Sequence, residues 1–144
     1  RLPRSTEQVL FPGAAPPVGV EITVGGGRPR LDDTLGSLEL RILAEDVLGL
    51  TDNDASRLAA AWDGDRWLLV EDGSGASGLL YATAWSDPAA RDAFLAAAST
   101  PSAAAGVLGG ARTRALEVDG RPVSLVALGS ASLTGVAVRL APGP

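Results

Sequence analysis

DRWLLVEDGSGASGLLYATAW, Asp65 to Trp85, reads as two strands and the turn between them. Asp65–Val70 and Leu79–Trp85 are rich in β-branched, aromatic and aliphatic residues. They flank EDGSGASG, Glu71 to Gly78, a glycine- and serine-rich run that suits a hairpin connection. Side chains alternate faces along a strand. Trp67 and Leu69 therefore share one face, and Tyr81 and Trp85 share one face of the partner strand. Arg66 is expected on the opposite side from Trp67. If the register aligns the two sets, they form one aromatic–aliphatic patch, with Trp62 just upstream. Such a patch serves either as core beneath covering helices or as a ligand- or partner-binding surface. Both readings stand at this level.

Helical patterns lie on either side of the hairpin. DDTLGSLELRILAEDVLG predicts a first helix, with Asp33 or Thr34 as cap and Gly49 as terminator. Its apolar stripe is expected at Leu35, Leu38, Ile42, Leu43 and Val47. LTDNDASRLAAAWDGDRW predicts a second helix, capped by Thr51 or Asp52 and stopped by Asp63–Gly64. WSDPAARDAFLAAAS predicts a third, with Ser86 as cap, Pro88 in the tolerant first turn, and Phe94 and Leu95 facing the core. RTRALEVDGRPVSLVALG gives two more strands around the turn pair Asp119–Gly120, and Val136 to Leu140 gives a last one. SAAAGVLGG, residues 102–110, is either a frayed helix or a loop. The sum is an α+β fold: a two-layer sandwich, with an antiparallel sheet of four or five strands and about three helices on one face.

Ahead of this body, residues 1–32 read as an extended leader. VLFPGAAPPVGV carries three prolines, VEITV (Val20–Val24) offers one strand at most, and GGGRPR (Gly25–Arg30) reads as a loop. The body is then residues 33–144. A chain of 144 residues is long enough to bury a core without cross-links.

Composition removes several classes of chemistry. The chain has no Cys and no His, so disulfides, thiol nucleophiles, imidazole bases and zinc sites built on those ligands are excluded within it. All 12 basic residues are arginine, and 17 acidic residues bring the net charge to −5. No basic cluster exists to hold phosphate, so nucleic acid is not an expected partner. Arg112 and Arg114 read as a solvated strand face. The Gly25–Gly27 and Gly73–Gly75 runs lack the lysine and the strand–helix setting of a phosphate loop. DNDASRLAAAWD begins like a calcium loop, but it lacks the glycine at position six and the glutamate at position twelve. Its acids, like Asp32–Asp33 and Asp63–Gly64–Asp65, read as helix caps and solvated turns. A catalytic carboxylate pair remains formally open, but Glu71 and Asp72 fall at a turn. No metal or cofactor is expected, and no membrane-inserting segment is seen. The chain opens at Arg1 without Met, so a processed product or a piece of a larger chain is expected.

Four segments carry a resemblance. STEQVLFP (Ser5–Pro12), DDTLGSLELRILAED, AAAWDGDRWLLVEDG and LLYATAWSDPAARDAF match, in order, segments of an uncharacterised family of exported bacterial proteins, often lipoproteins. Its longer members look like zinc metallopeptidases. Their zinc-binding half, with its H-E-L-x-H helix, is absent from this chain. The resemblance spans residues 5 to 94. Where relatives look to have histidine after the leucine, this chain has Phe11. Glu7 is the nearby acid of the same segment, with no established role.

The resemblance implies a noncatalytic C-terminal or accessory domain of an exported peptidase-like protein, acting in packing or protein association. It also implies an upstream domain or second chain as partner, and an extracytoplasmic setting with anchoring through a missing N-terminal part. The alternative is a stand-alone ligand- or protein-binding module. The candidate binding residues are Trp62, Trp67, Tyr81 and Trp85, with Glu7 and Phe11 from the opening segment. The module reading predicts a cavity lined by at least one of the four aromatics. A third reading is an enzyme using two carboxylates across a cleft; catalysis by this chain alone is not the favoured expectation.

Overall fold

A computed structural model describes residues 15–100 and 111–142. Chain order is β1 (Gly19–Thr23), β2 (Arg28–Asp33), α1 (Ser37–Asp46), α2 (Asp52–Ala61), β3 (Trp62–Glu71), β4 (Ser77–Trp85), α3 (Pro88–Ser99), β5 (Arg112–Val118), β6 (Arg121–Gly129) and β7 (Ala137–Ala141). Five strands form one antiparallel sheet in the order β2-β3-β4-β6-β5. The α+β fold with three helices on one sheet face is the one expected. β1 and β7 pair separately, Val20 opposite Leu140 and Ile22 opposite Val138. This ribbon packs its apolar side on the other face of the large sheet, over Ala82, Ala84, Val123 and Leu125.

The strand alternation seen in the sequence sorts the core. Tyr81, Trp85 and Val126 face the helices and meet Leu40, Ala44, Leu58 and Phe94. Leu80, Ala82 and Ala84 face the ribbon side with Leu125 and Ala127. Trp85, Leu40, Leu80 and Leu125 are wholly buried. Each such side chain contributes roughly 1.5–3 kcal/mol over its exposed state.

The two hairpins use different turn chemistry. At Asp119–Gly120 both residues have positive φ, 51° and 76°, the twist a two-residue hairpin needs. Between β3 and β4 the Asp72 carboxylate accepts from the Ser74 amide and hydroxyl and from the Ala76 amide, at 2.6–3.1 Å. These bonds hold Asp72 below the ordinary carboxylate value, the Ser74 hydroxyl first among them.

Several expectations are corrected. GGGRPR does not stay a loop: Arg28–Arg30 begin β2, so two strands rather than one come from residues 15–33. Asp63–Gly64 does not separate helix from strand. α2 ends at Ala61 because Trp62 is already extended, and the register between β3 and β4 shifts between Trp62 and Gly64. Asp63 bulges there and pairs with Arg121, while its carbonyl accepts from the Val18 amide at 2.7 Å. Gly64 has φ 143°, and a Cβ on it would lie 2.2 Å from the Val18 oxygen. The bulge thus seats the chain entering β1 directly on β3.

α3 is capped by Asp87, one residue beyond Ser86, with its carboxylate accepting from the Ala89 amide at 2.9 Å. Thr51 does cap α2, accepting from the Asp54 amide at 3.2 Å. α1 departs furthest. Its N-cap is Gly36, without a side-chain cap of its own. Its buried stripe is Ser37, Leu40 and Ala44, whereas Leu38 and Ile42 face out. Apolar residues occur on nearly every side of this helix, so periodicity cannot orient it; an anchor from β3 does.

Candidate functional site

That anchor is Asp65. In β3 it shares its sheet face with Trp67, so alternation turns it toward the helices, and it is 2% exposed. Its carboxylate accepts from the Leu35 amide at 2.9 Å and the Gly36 amide at 3.1 Å, the two backbone donors that lead into α1. It also accepts from the Trp62 indole at 3.1 Å and the Tyr81 hydroxyl at 2.7 Å. Four donors occupy about all the acceptor positions a carboxylate offers. Asp65 therefore does the work of an N-cap from across the chain. Of the two readings given to these acids, helix cap and solvated turn, Asp65 takes the first, and does so from a buried strand position. Its oxygens are taken up by structural donors from three segments of the chain.

The aromatic candidates come together as the hairpin register implies. Trp67 stands opposite Tyr81, and Trp62 opposite Trp85. Trp62, Tyr81 and Trp85 are buried, and Trp67 is half-buried against the same cluster. Phe94 of α3 joins them, its ring centroid 5.4 Å from Trp85 and 6.2 Å from Tyr81. The Trp85 indole donates to the Ser124 hydroxyl at 2.9 Å, both residues being fully enclosed. Burial first, and then the Asp65 charge, raise the Tyr81 hydroxyl well above its ordinary pKa of 10.0. Most of the patch is thus core. Glu7 and Phe11 lie outside the described residues, as do the STEQVLFP segment and residues 101–110, which include the 102–110 stretch read as frayed helix or loop.

Trp62 has a second neighbourhood. A cleft of about 480 Å³ opens at the β3 bulge, lined by Val18, Val20, Leu35, Trp62 and Asp65. Glu21 and Arg66 stand along it with opposite charges. Arg66 lies on the ribbon side, as alternation implies; it donates to the Val20 carbonyl at 3.3 Å and lies 3.6 Å from Asp32. A wider groove of about 690 Å³ runs between α2 and α3, lined by alanines together with Leu50, Leu58 and the charged Asp54, Arg57 and Asp87, and it holds none of the candidate aromatics.

The family model of a domain of unknown function, DUF8575, matches residues 23–136. The chain belongs to this family. The match runs from the last residue of β1 to the residue before β7, so it takes in the five-stranded sheet and all three helices. Of the cleft, Leu35, Trp62, Asp65 and Arg66 lie within the family match, whereas Val18 and Val20 precede it. No curated protein and no solved structure matches the chain.

Asp65 was absent from the sequence-derived site, yet a signal for it existed. An acid two residues before an inward tryptophan, in an alternating strand, is itself inward and must find donors. Among the described residues no three acidic side chains converge as a metal site, and no helix is long and apolar enough to cross a membrane.

Proposed function

We propose that this domain is a noncatalytic binding module, and that the cleft at the β3 bulge receives a peptide segment of a partner protein. The observation that carries the reading is Trp62: one indole is both part of the aromatic core and a wall of an open cleft. Its N–H is held by Asp65, so the ring is fixed before any ligand arrives. Pre-ordered walls lower the entropic cost of binding. The volume is within the range of natural ligand clefts, roughly 300–1,000 Å³. Val18 and Leu35, both half-buried, suit one apolar side chain of the peptide, and Glu21 and Arg66 suit polar or charged flanks of either sign.

In a longer protein such a module would serve as an accessory domain, in keeping with the resemblance to exported peptidase-like proteins; an extracytoplasmic setting is part of that same proposal.

The test is selection from a displayed peptide library, followed by backbone NMR titration with the selected peptides. Shifts are expected at Leu35, Gly36, Trp62, Gly64 and Arg66. Thr34 is exposed at the mouth of the cleft. Thr34→Trp should block binding without unfolding the chain, and Arg66→Ala should weaken it about tenfold, near 1.4 kcal/mol. Selected peptides that shift only the α2–α3 groove, or that bind Thr34→Trp unchanged, would refute the assignment.

A further inference from the structure

Among the described residues β2 is an edge strand: β3 flanks it on one side and no described strand flanks it on the other. All six of its residues are exposed. Three large apolar side chains stand exposed among the described residues: Leu31 at 61%, Ile42 at 50% and Leu38 at 37%. All three belong to β2 or to α1, which follows it after residues 34–36. The register also aligns Leu31 with Leu69, Leu79 and Leu128 across four strands. A row of leucines therefore begins at the open edge, with Leu69 and Leu79 half-buried.

Charges on an edge strand ordinarily guard it against pairing. Here their order matters more than their presence. β2 reads Arg28, Pro29, Arg30, Leu31, Asp32, Asp33, basic in its first half and acidic in its second. A strand of that pattern repels a parallel copy and attracts an antiparallel one. We propose that two copies of this chain associate through β2, antiparallel about a two-fold axis at Leu31. Each Arg28–Arg30 half then lies along the Asp32–Asp33 half of the second copy. Leu31 meets Leu31 of the second copy, and Leu38 and Ile42 of α1 close over the seam. The interface is isologous, so it closes at two copies and does not propagate. The mode is strand addition. Pro29 has no N–H and the register of β2 shifts between Pro29 and Leu31, so main-chain hydrogen bonds are few and centre on Leu31, and the charged side chains carry register and much of the affinity. The intrachain ion pairs Arg30–Glu71 (3.5 Å) and Asp32–Arg66 (3.6 Å) are partly exposed and weak, so they do not hold these charges away from a second copy.

The experiment is sedimentation equilibrium on the whole chain across the micromolar range, with urea midpoints confirming that each variant is folded. Wild type should show a concentration-dependent dimer that weakens with salt. Leu31→Lys should weaken it at least tenfold. Arg28→Asp with Arg30→Asp makes β2 wholly acidic, and Asp32→Arg with Asp33→Arg makes it wholly basic. Each double variant alone should be monomeric, and an equal mixture should form a heterodimer. A wild type that remains monomeric throughout would overturn the proposal. So would a dimer that survives Leu31→Lys, or a mixture that fails to associate.

Discussion

The Tyr81 hydroxyl donates a 2.7 Å hydrogen bond to Asp65 across the β3–β4 pair, where both residues are buried. The same carboxylate holds the entry to α1, so one buried oxygen pair joins the central strands to the first helix. Changes at either end should therefore be felt at the other.

Asp65→Ala leaves four donors short of an acceptor, the buried Trp62 indole and Tyr81 hydroxyl and the part-buried Leu35 and Gly36 amides. At about 1–3 kcal/mol for an unsatisfied group, the loss should be about 3 kcal/mol or more, read from urea midpoints. Asp65→Asn keeps one acceptor oxygen and should lose less, about 1–2 kcal/mol. In the Asn variant, amide exchange should accelerate at Leu35 to Leu40 before it does in β4 or β6. Uniform acceleration across the chain would contradict the capping role.

Tyr81 is the chain's one tyrosine, so phenolate absorbance near 295 nm reports it alone. Its folded pKa is raised, which means the folded state holds the proton more tightly than the unfolded state. The stabilisation is complete below the unfolded value of 10.0 and is lost as pH rises through the folded value. Phenolate should therefore appear together with loss of tertiary circular dichroism, in one alkaline transition. Titration near pH 10 with the fold intact would show that the hydroxyl is not enclosed.

Ser124→Ala removes the acceptor of the Trp85 indole in a fully buried site and should cost about 1–3 kcal/mol. A double-mutant cycle with Trp85→Phe separates the hydrogen bond from packing. The double variant should be less destabilised than the sum of the single ones. Strict additivity would mean the bond contributes nothing.

Gly64→Ala should be severely destabilising, by about 3 kcal/mol or more, because it combines a positive-φ position with a Cβ forced onto the Val18 carbonyl. Gly73→Ala is the control. Nothing lies within 4 Å of a Cβ there, so its effect should stay within about 1 kcal/mol. Equal thermal midpoints for the two variants would remove the bulge from its proposed place in the fold.

The β3–β4 hairpin, the Asp119–Gly120 turn and the three helices were legible because their signals are local. Alternation, turn residues and caps act within a few positions, and Trp67 opposite Tyr81 follows once the hairpin is accepted. The candidate site was legible only in part. Trp62 stood out by its residue type, but the cleft beside it needs Val18, Leu35 and Gly64, which lie far apart in sequence.

By itself, then, the sequence determined the class of fold and which strand faces are apolar, since side-chain alternation and turn chemistry are properties of short segments. It also excluded imidazole and thiol chemistry through composition. Tertiary structure alone decided which side of α1 turns inward and why Asp65 is buried. A helix whose apolar residues, Leu38, Leu40, Ile42, Leu43 and Ala44, fall on opposite sides has no preferred rotation of its own. Two backbone amides and one distant carboxylate supply it, and that pairing exists only once β3 and α1 have met.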